Sequence, residues 1–393
     1  MTPAARLQAA SEVLDEVIAS VREDGPPADT IVTRYFKHRR YAGSKDRRAV
    51  RELVFRAIRR SAERPESGRS AVLGLAEDEP ALLELFGQPR GPQPVTDAEV
   101  GSVPAAGAVP GWLVPELSPM VTPDEWPALL ERAPLDLRVN VAKASRDELL
   151  QHFSQGEPTP ISPWGIRLPP DSRVDDHPAF HEGMVEVQDE GSQLIAFACD
   201  PQDGERMIDL CAGAGGKALA LAAAAPGAEI LATDSNRARL SKLGPRAERA
   251  AAAVESRLLD PPNELDQLSH WKGGADLVLV DAPCSGSGTW RRNPEGRWRL
   301  TPERLGRVVA VQQRLLGLAS ELVRPGGTLV YAVCSLLSRE GAGQIDRFLE
   351  RHSSWISEQT AIAGGRSDGA GLLLTPAHDR TDGFFVARLR RSC

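Results

Sequence analysis

No stretch of the 393 residues is apolar for long enough to cross a bilayer. The most apolar run of the second half of the chain, Ala218–Ala225, falls far short of the roughly 20 residues a spanning helix needs. The opening Met1-Thr2-Pro3-Ala4-Ala5-Arg6 lacks the apolar core of a secretion signal, so no membrane association is expected. Cysteine is scarce, and its spacing has no pattern. Cys199, Cys211, Cys284, Cys334 and Cys393 form no Cys-x-x-Cys pair, which argues against a zinc site or a disulfide framework. Free thiols fit a reducing cytoplasm, and no metal is expected. No internal repeat is visible. A positive excess is also missing: 47 Lys/Arg against 54 Asp/Glu give a net −7, the reverse of the usual nucleic-acid footprint.

What is present is an ordinary globular composition, 41% hydrophobic and 26% charged, with chain enough for about two to three domains. The average charge hides a local bias. Arg34 to Arg60 holds eleven Lys/Arg against Asp46 and Glu52, a net +9 in 27 residues. Such a run is either a solvated helix face or a grip on phosphates. Its Tyr35, Phe36, Tyr41 and Phe55 suit core packing more readily than base stacking. Leu7, Ala10, Leu14, Val17 and Ile18 recur at helical spacing, and Ala28–Phe36, Ser44–Arg60 and Ala71–Phe86 read as three further helices. Residues 1–88 are therefore expected to form a helical bundle. Residues 89–134, rich in Gly and Pro, read as an extended linker pinned by Trp112, Leu113 and Leu117.

Residues 135–187 read as a small α+β module. Leu135–Val141 alternates as a half-buried strand does, Ser145 and Glu148 have the spacing of a capping box, and Ile161–Leu168 and Met184–Val187 supply further strands. From 188 to 393 strands and helices alternate, which predicts a mostly parallel sheet with helices on both faces, a Rossmann-like α/β domain. Its strands are Arg206–Leu210, Glu229–Thr233, Ser256–Leu259, Asp276–Val280 and Thr328–Val333. A continuous helix is expected over Arg237–Ala253, a long one over Thr301–Leu322, and an edge strand at Phe384–Leu389.

The first strand-to-helix turn runs Asp209-Leu210-Cys211-Ala212-Gly213-Ala214-Gly215-Gly216-Lys217. Its glycines let the backbone approach a ligand and aim helix N-terminal amides at it. The turn also satisfies a dinucleotide fingerprint, so a nicotinamide oxidoreductase is a competitor. Three carboxylates at successive strand ends favour S-adenosylmethionine instead: Asp209 for a charged amino-acid moiety, Asp234 for ribose hydroxyls and Asp260 for the adenine amino group.

Two thiols stand at the same rim. Asp281-Ala282-Pro283-Cys284-Ser285-Gly286-Ser287-Gly288 follows one buried strand, and Cys334-Ser335 follows another. Cytosine carbon 5 is a poor nucleophile until a thiolate adds to carbon 6, which makes carbon 5 enamine-like. Asp281 is placed to contact the ring, and a second thiol to help expel the first. Which cysteine attacks stays open at this point, because a Pro-Cys nucleophile is chemically equally sound.

These stretches, with Val187-Gln188-Asp189-Glu190-Gly191-Ser192-Gln193, Arg291-Arg292-Asn293-Pro294 and Thr381-Asp382-Gly383-Phe384-Phe385, resemble the RsmB/Sun family of RNA cytosine-5 methyltransferases. The resemblance covers almost the whole chain and is strongest from Gln188 to Leu389. It implies a class I methyltransferase fold, a NusB-like helical domain, and a cytoplasmic, monomeric enzyme. It implies that Cys334 bonds carbon 6, that Cys284 assists breakdown of the adduct, and that Asp281 contacts cytosine and the methyl-donor end of the site. Cys211, Ala212, Gly213, Ala214, Gly215, Gly216, Lys217, Asp234, Asp260 and Asp281 would hold S-adenosylmethionine. Gly213-Ala214 stands where the family usually has Ala-Pro, and Val333 replaces its usual Thr. The implied partner is RNA, ribosomal first and tRNA next, with a non-catalytic assembly factor as the reading from another class. Arg291, Arg292, Asn293, Arg39 and Arg40 are the candidate RNA contacts, joined by Arg297 and Arg299 for phosphates and by Trp290 and Trp298 for stacking.

Overall fold

Thr2 accepts the Ala5 amide and Pro3 fills the first helical turn, so the chain enters a helix at once. The computed structural model describes all residues except Arg40, Val100 and Ser102. The expected contact at Arg40 lies outside the described residues. The chain divides into two units. The first comprises Met1–Leu117, Trp126–Glu131 and Thr289–Thr301; the second comprises Ser118–Glu125, Arg132–Gly288 and Pro302–Cys393.

In the first unit α1 (Pro3–Arg22), α2 (Ala28–Lys37), α3 (Ser44–Arg60) and α4 (Gly68–Asp78) bury Leu7, Leu14, Val17, Ile31, Val54 and Ile58 in one core. Gly68 sets the closeness of α4 to α1, since a Cβ there would lie 1.9 Å from the Ser11 carbonyl oxygen. The fourth helix is shorter than its apolar spacing predicts. It stops before Pro80, which has no amide to continue the ladder, and a 3-10 turn Pro80–Leu85 follows.

The segment Thr289–Thr301 is part of this unit's framework. Arg297, 1% exposed, donates to the carbonyls of Ile58, Arg59 and Ala108, satisfying the free end of α3 with a cation. Trp298 packs in the core and donates to the Ser61 carbonyl at 2.9 Å. Buried Glu295 accepts the Ala28 amide at the start of α2, and Arg299 caps the Gly25 and Pro26 carbonyls. Trp290 is likewise buried. The tryptophans expected to stack on bases are buried, and of the arginines expected to meet phosphates Arg297 and Arg299 are occupied inside the fold.

The second unit carries two sheets. β1 (Leu135–Val139), β2 (Glu157–Pro158), β3 (Gly165–Leu168) and β4 (Val185–Val187) form an antiparallel sheet in the order β2-β3-β1-β4. The capping box at Ser145 and Glu148 forms, starting a helix Arg146–Leu150. The polar residues of β1 do not face water. Asp136 and Arg138 are fully buried, Asp136 bound by Arg167 and Arg138 by Gln188.

The larger sheet contains β5 (Arg206–Asp209), β6 (Glu229–Asp234), β7 (Glu255–Leu258), β8 (Ala275–Asp281), β9 (Val323–Val333), β10 (Trp355–Glu358), β11 (Arg366–Asp368), β12 (Gly371–Leu374) and β13 (Phe384–Arg391). Its order is β11-β12-β13-β9-β8-β5-β6-β7, with β10 beside β13. β5 to β9 are parallel to their neighbours, and β13 runs antiparallel to β9. This is the Rossmann-like methyltransferase sheet expected. β13 is not its edge: β9 lies on one side, β12 and β10 on the other, because a hairpin and a helix Ala342–Arg351 extend the sheet beyond it. The helix expected over Arg237–Ala253 breaks into Arg237–Leu240 and Leu243–Ala250. Pro245 clashes with the carbonyl four residues before it, where the break falls.

Candidate active site

β5 and β8 are neighbours, yet the chain leaves β5 for β6 on the opposite side. The crevice beyond their carboxyl ends is thus the switch point where open α/β sheets bind ligands. β5 delivers Asp209 to this rim, β8 delivers Asp281, and β9 ends one residue before Cys334.

The loop from Cys211 to Gly216 is held in shape from several directions. Gly213 and Gly215 have φ of +58° and +83°, and a Cβ on Gly215 would come within 2.1 Å of Leu243. Asp234 clamps the loop: one carboxylate oxygen accepts the Gly213 amide at 2.8 Å, the other the Asn236 amide at 2.7 Å. Arg246 donates to the Ala214 carbonyl at 2.6 Å and Arg138 to the Gly216 carbonyl. Asp260 is exposed just beyond β7. Arg138, Gln188 and Arg246 are supports that the sequence did not reveal, because their partners lie 30 to 80 positions away and no local pattern marks them.

Asp209 is fully buried, and neither carboxylate oxygen has a hydrogen-bond partner of good geometry. Burial, reinforced by the charge of Asp281, pushes its carboxyl up to about 7 against the opposing pull of Lys217 and the Ala218 amide. Lys217 donates to Asp281 Oδ2 at 2.7 Å. Burial alone would depress the Lys217 ammonium, but Asp281, Asp209 and Cys334 hold it above the ordinary lysine range. Its Nζ also lies 5.5 Å from the Phe384 ring centroid, which brings the Thr381–Phe385 stretch to the site.

The two sulfurs, Cys284 Sγ and Cys334 Sγ, are 3.3 Å apart. Cys334 lies in the field of the Lys217 cation, and the charge of Glu340 acts on Cys284. The hydrogen bond with Cys334, then burial, then the charges of Cys334 and Glu340 hold the Cys284 thiol well above the usual range. Cys211 is a different thiol: desolvation and the surrounding carboxylates push it far up, into the inert range. Val333 is buried, with its backbone in register with Phe385.

Three loops cross beside the sulfurs. The Gly288 amide donates to the Cys334 carbonyl at 3.0 Å, and the Gly383 amide to the Gly288 carbonyl at 2.8 Å. A Cβ on Gly288 would lie 2.0 Å from the Gly383 carbonyl oxygen.

Asp281, Cys284, Cys334, the glycine loop and Asp234 are thus brought together. Asp260 belongs to the same unit, beyond β7, and the candidate RNA contacts belong to the first unit. Arg291 is buried, Arg292 half-buried and Asn293 exposed. Arg39 lies over the Tyr35 ring, with its guanidinium carbon 3.5 Å from the centroid, and pairs with Glu12.

Residues 196–390 match the family described as 16S rRNA methyltransferase RsmB/F. The chain belongs to this family. Ribosomal RNA small subunit methyltransferase B of Salmonella arizonae is 35% identical over 291 residues, 71% of this chain. Its counterpart from Yersinia enterocolitica is 34% identical over 292 residues. The matched part spans 66% of the length of each of these relatives. Among solved structures, a methyltransferase homologue from Pyrococcus horikoshii matches at TM-score 0.59 and 26% identity, covering 68% of this chain and 89% of that one. The protein described as PH0851 shares the fold along 100% of this chain and 99% of its own, at TM-score 0.76 and 22% identity.

In this family member the loop crossing depends on two glycines, so Gly288→Ala should lower stability by about 3 kcal/mol. Urea denaturation followed by tryptophan fluorescence measures it, and an unchanged midpoint would show that the loops have room to part.

Proposed function

We propose that the chain is an S-adenosylmethionine-dependent RNA cytosine-5 methyltransferase, acting on small-subunit ribosomal RNA through a covalent bond from Cys334. The observation that carries this reading is the pair of sulfurs 3.3 Å apart, one near a cation and one near an anion, beside a buried carboxylate without a partner. The names of the curated relatives support the choice of RNA.

The residues present fit the cofactor. Asp209 offers its buried carboxylate to an ammonium, Asp234 keeps spare lone pairs for ribose hydroxyls beyond the two amides it accepts, and exposed Asp260 can accept from adenine. When bound, S-adenosylmethionine supplies an electrophilic methyl group on a sulfonium. Cys334, as a thiolate, would add through Sγ to cytosine carbon 6, and the displaced electron pair would make carbon 5 the nucleophile that the bound cofactor's methyl group requires. Asp281, oriented by Lys217, holds the ring at its nitrogen edge. Cys284, once its own proton has passed to solvent, would take the carbon-5 proton as a thiolate; the released pair re-forms the ring double bond and expels Cys334 as a thiolate. The Cys334 thiol is the first influence that keeps the proton on Cys284, followed by burial, so bonding of Cys334 to carbon would favour release of that proton.

The helical unit is read as the NusB-like RNA grip of a cytoplasmic, monomeric enzyme. Part of the basic run is paired with carboxylates: Arg34 with Glu16, Arg39 with Glu12, Arg51 with Asp29, Arg56 with Glu79, and Arg60 with Glu77 and Asp78. Lys37, Lys45 and Arg48 are exposed around the α2–α3 turn with Tyr41 and offer positive charge to phosphates.

Three measurements test this reading. Cys284→Ala should trap a protein–RNA adduct that survives a denaturing gel, and Cys334→Ala should not; the reverse pattern would exchange the two roles. Asp209 must ionise to take an ammonium. Affinity for S-adenosylmethionine should therefore be full above pH 7 and fall as the pH drops through about 7, with a proton released on binding. Calorimetry at pH 6 and 8 in two buffers reads both, and a flat profile would remove Asp209 from the ammonium site. Replacing Lys37, Lys45 and Arg48 together with Glu should weaken RNA binding about tenfold or more and flatten its salt dependence, leaving cofactor affinity alone. An unchanged salt slope would place the grip elsewhere.

A further inference from the structure

Glu340 takes no part in the chemistry above, yet it is fully buried directly behind the sulfurs. One carboxylate oxygen accepts the Ser285 amide at 2.8 Å and Gln312 Nε2 at 2.9 Å. The other accepts the Ser335 hydroxyl at 2.5 Å. Three donors and no acceptor surround the carboxylate, the pattern that suits its ionised form. Gln312, on the helix Pro302–Leu322, also donates to the Pro283 carbonyl at 3.0 Å. The peptide groups on both sides of Cys284 and the side chain after Cys334 thus meet at one anion. The Glu340 carbonyl accepts the Tyr331 hydroxyl at 2.7 Å, which anchors the turn to β9. A carboxylate is costly to bury, and mere filling of this space would be served by an apolar side chain.

We propose that Glu340 is a positioning residue of the two-thiol site: its buried carboxylate fixes the Cys284 loop against the Cys334 loop and keeps the two sulfurs unequal. The amide of Ser285, joined to Cys284, is bound to this anion, whose charge opposes loss of the Cys284 proton, whereas Cys334 lies in the field of the Lys217 cation. The purpose of the inequality rests on the catalytic reading above, in which one thiol attacks while the other holds its proton. The inequality itself needs no RNA to be observed.

The test is alkylation of the free full-length protein by iodoacetamide at pH 8, with Cys284 and Cys334 peptides followed in time by mass spectrometry. In the wild type Cys334 should label at least about tenfold faster. Glu340→Gln keeps the shape, removes the charge and turns an amide donor toward existing donors. It should bring the two rates together by about fivefold or more, through faster Cys284 labelling, with S-adenosylmethionine affinity unchanged. Gln312→Leu, which cuts a tie but leaves the anion, should keep the wild-type ratio within about twofold. An unaltered ratio in folded Glu340→Gln protein would reduce Glu340 to a structural strut. If that variant does not fold, Ser335→Ala serves: it removes one carboxylate partner and should shift the ratio the same way by a smaller factor, and no shift there overturns the proposal. Wild-type protein that shows unequal thiols but methylates no RNA would sink the catalytic reading while leaving this one standing.

Discussion

The backbone crossing of Gly288, Gly383 and Cys334 is the contact on which the rest depends. Loops from three different parts of the chain leave the sheet here, and amide-to-carbonyl bonds run from Gly383 to Gly288 and from Gly288 to Cys334. Such an approach leaves no space for a side chain at position 288 or 383. It also fixes where β8 and β9 release their loops, and hence where the two sulfurs can stand. The strand order makes this possible: β8 and β9 are parallel neighbours with Asp281 opposite Ala332, so Cys284 and Cys334 start from the same level of the rim.

Charge then divides the site. Lys217 enters from the first turn of its helix and is met by Asp281, with Asp209 and Cys334 also within its field. Asp209 is buried beside the negative Asp281, and this raises its carboxyl to about 7 against the pull of Lys217 and the Ala218 amide. Glu340 holds the Ser285 amide beside Cys284, and its charge acts on that thiol. An ammonium in whose field Cys334 lies and a carboxylate acting on Cys284 give two identical side chains different surroundings.

Much of this was legible because it was local. Apolar runs marked β5, β6, β8 and β9 within a few residues, and the carboxylates and cysteines were visible as the residues ending those runs. The glycine turn announced itself through Gly213 and Gly215, whose left-handed backbone other residues adopt at a cost. What escaped was non-local. Trp298 and Arg297 looked like nucleic-acid contacts, since nothing in an Arg-Trp-Arg string shows that Ser61 and the end of α3 await them 237 or more positions earlier. β13 looked like an edge because its partners β10 and β12 are short, and Glu340 looked like a loop residue in a Ser-Arg-Glu-Gly turn.

The small antiparallel sheet is also more closely tied to the chemistry than its sequence suggested. Arg138 of β1 reaches both Gln188 and the Gly216 carbonyl; burial lowers its guanidinium to about 10, still charged at neutral pH. Arg246 binds the Ala214 carbonyl while pairing with Glu186 of β4. Two carbonyls of the glycine loop are therefore held by cations, one of which belongs to the small sheet and the other of which is anchored by it. A loop that must present its amides to a ligand needs its carbonyls drawn the other way, and these arginines do that. The small sheet thus braces the glycine loop, through Arg138 directly and through Glu186 by way of Arg246, which is what two of its buried polar residues do.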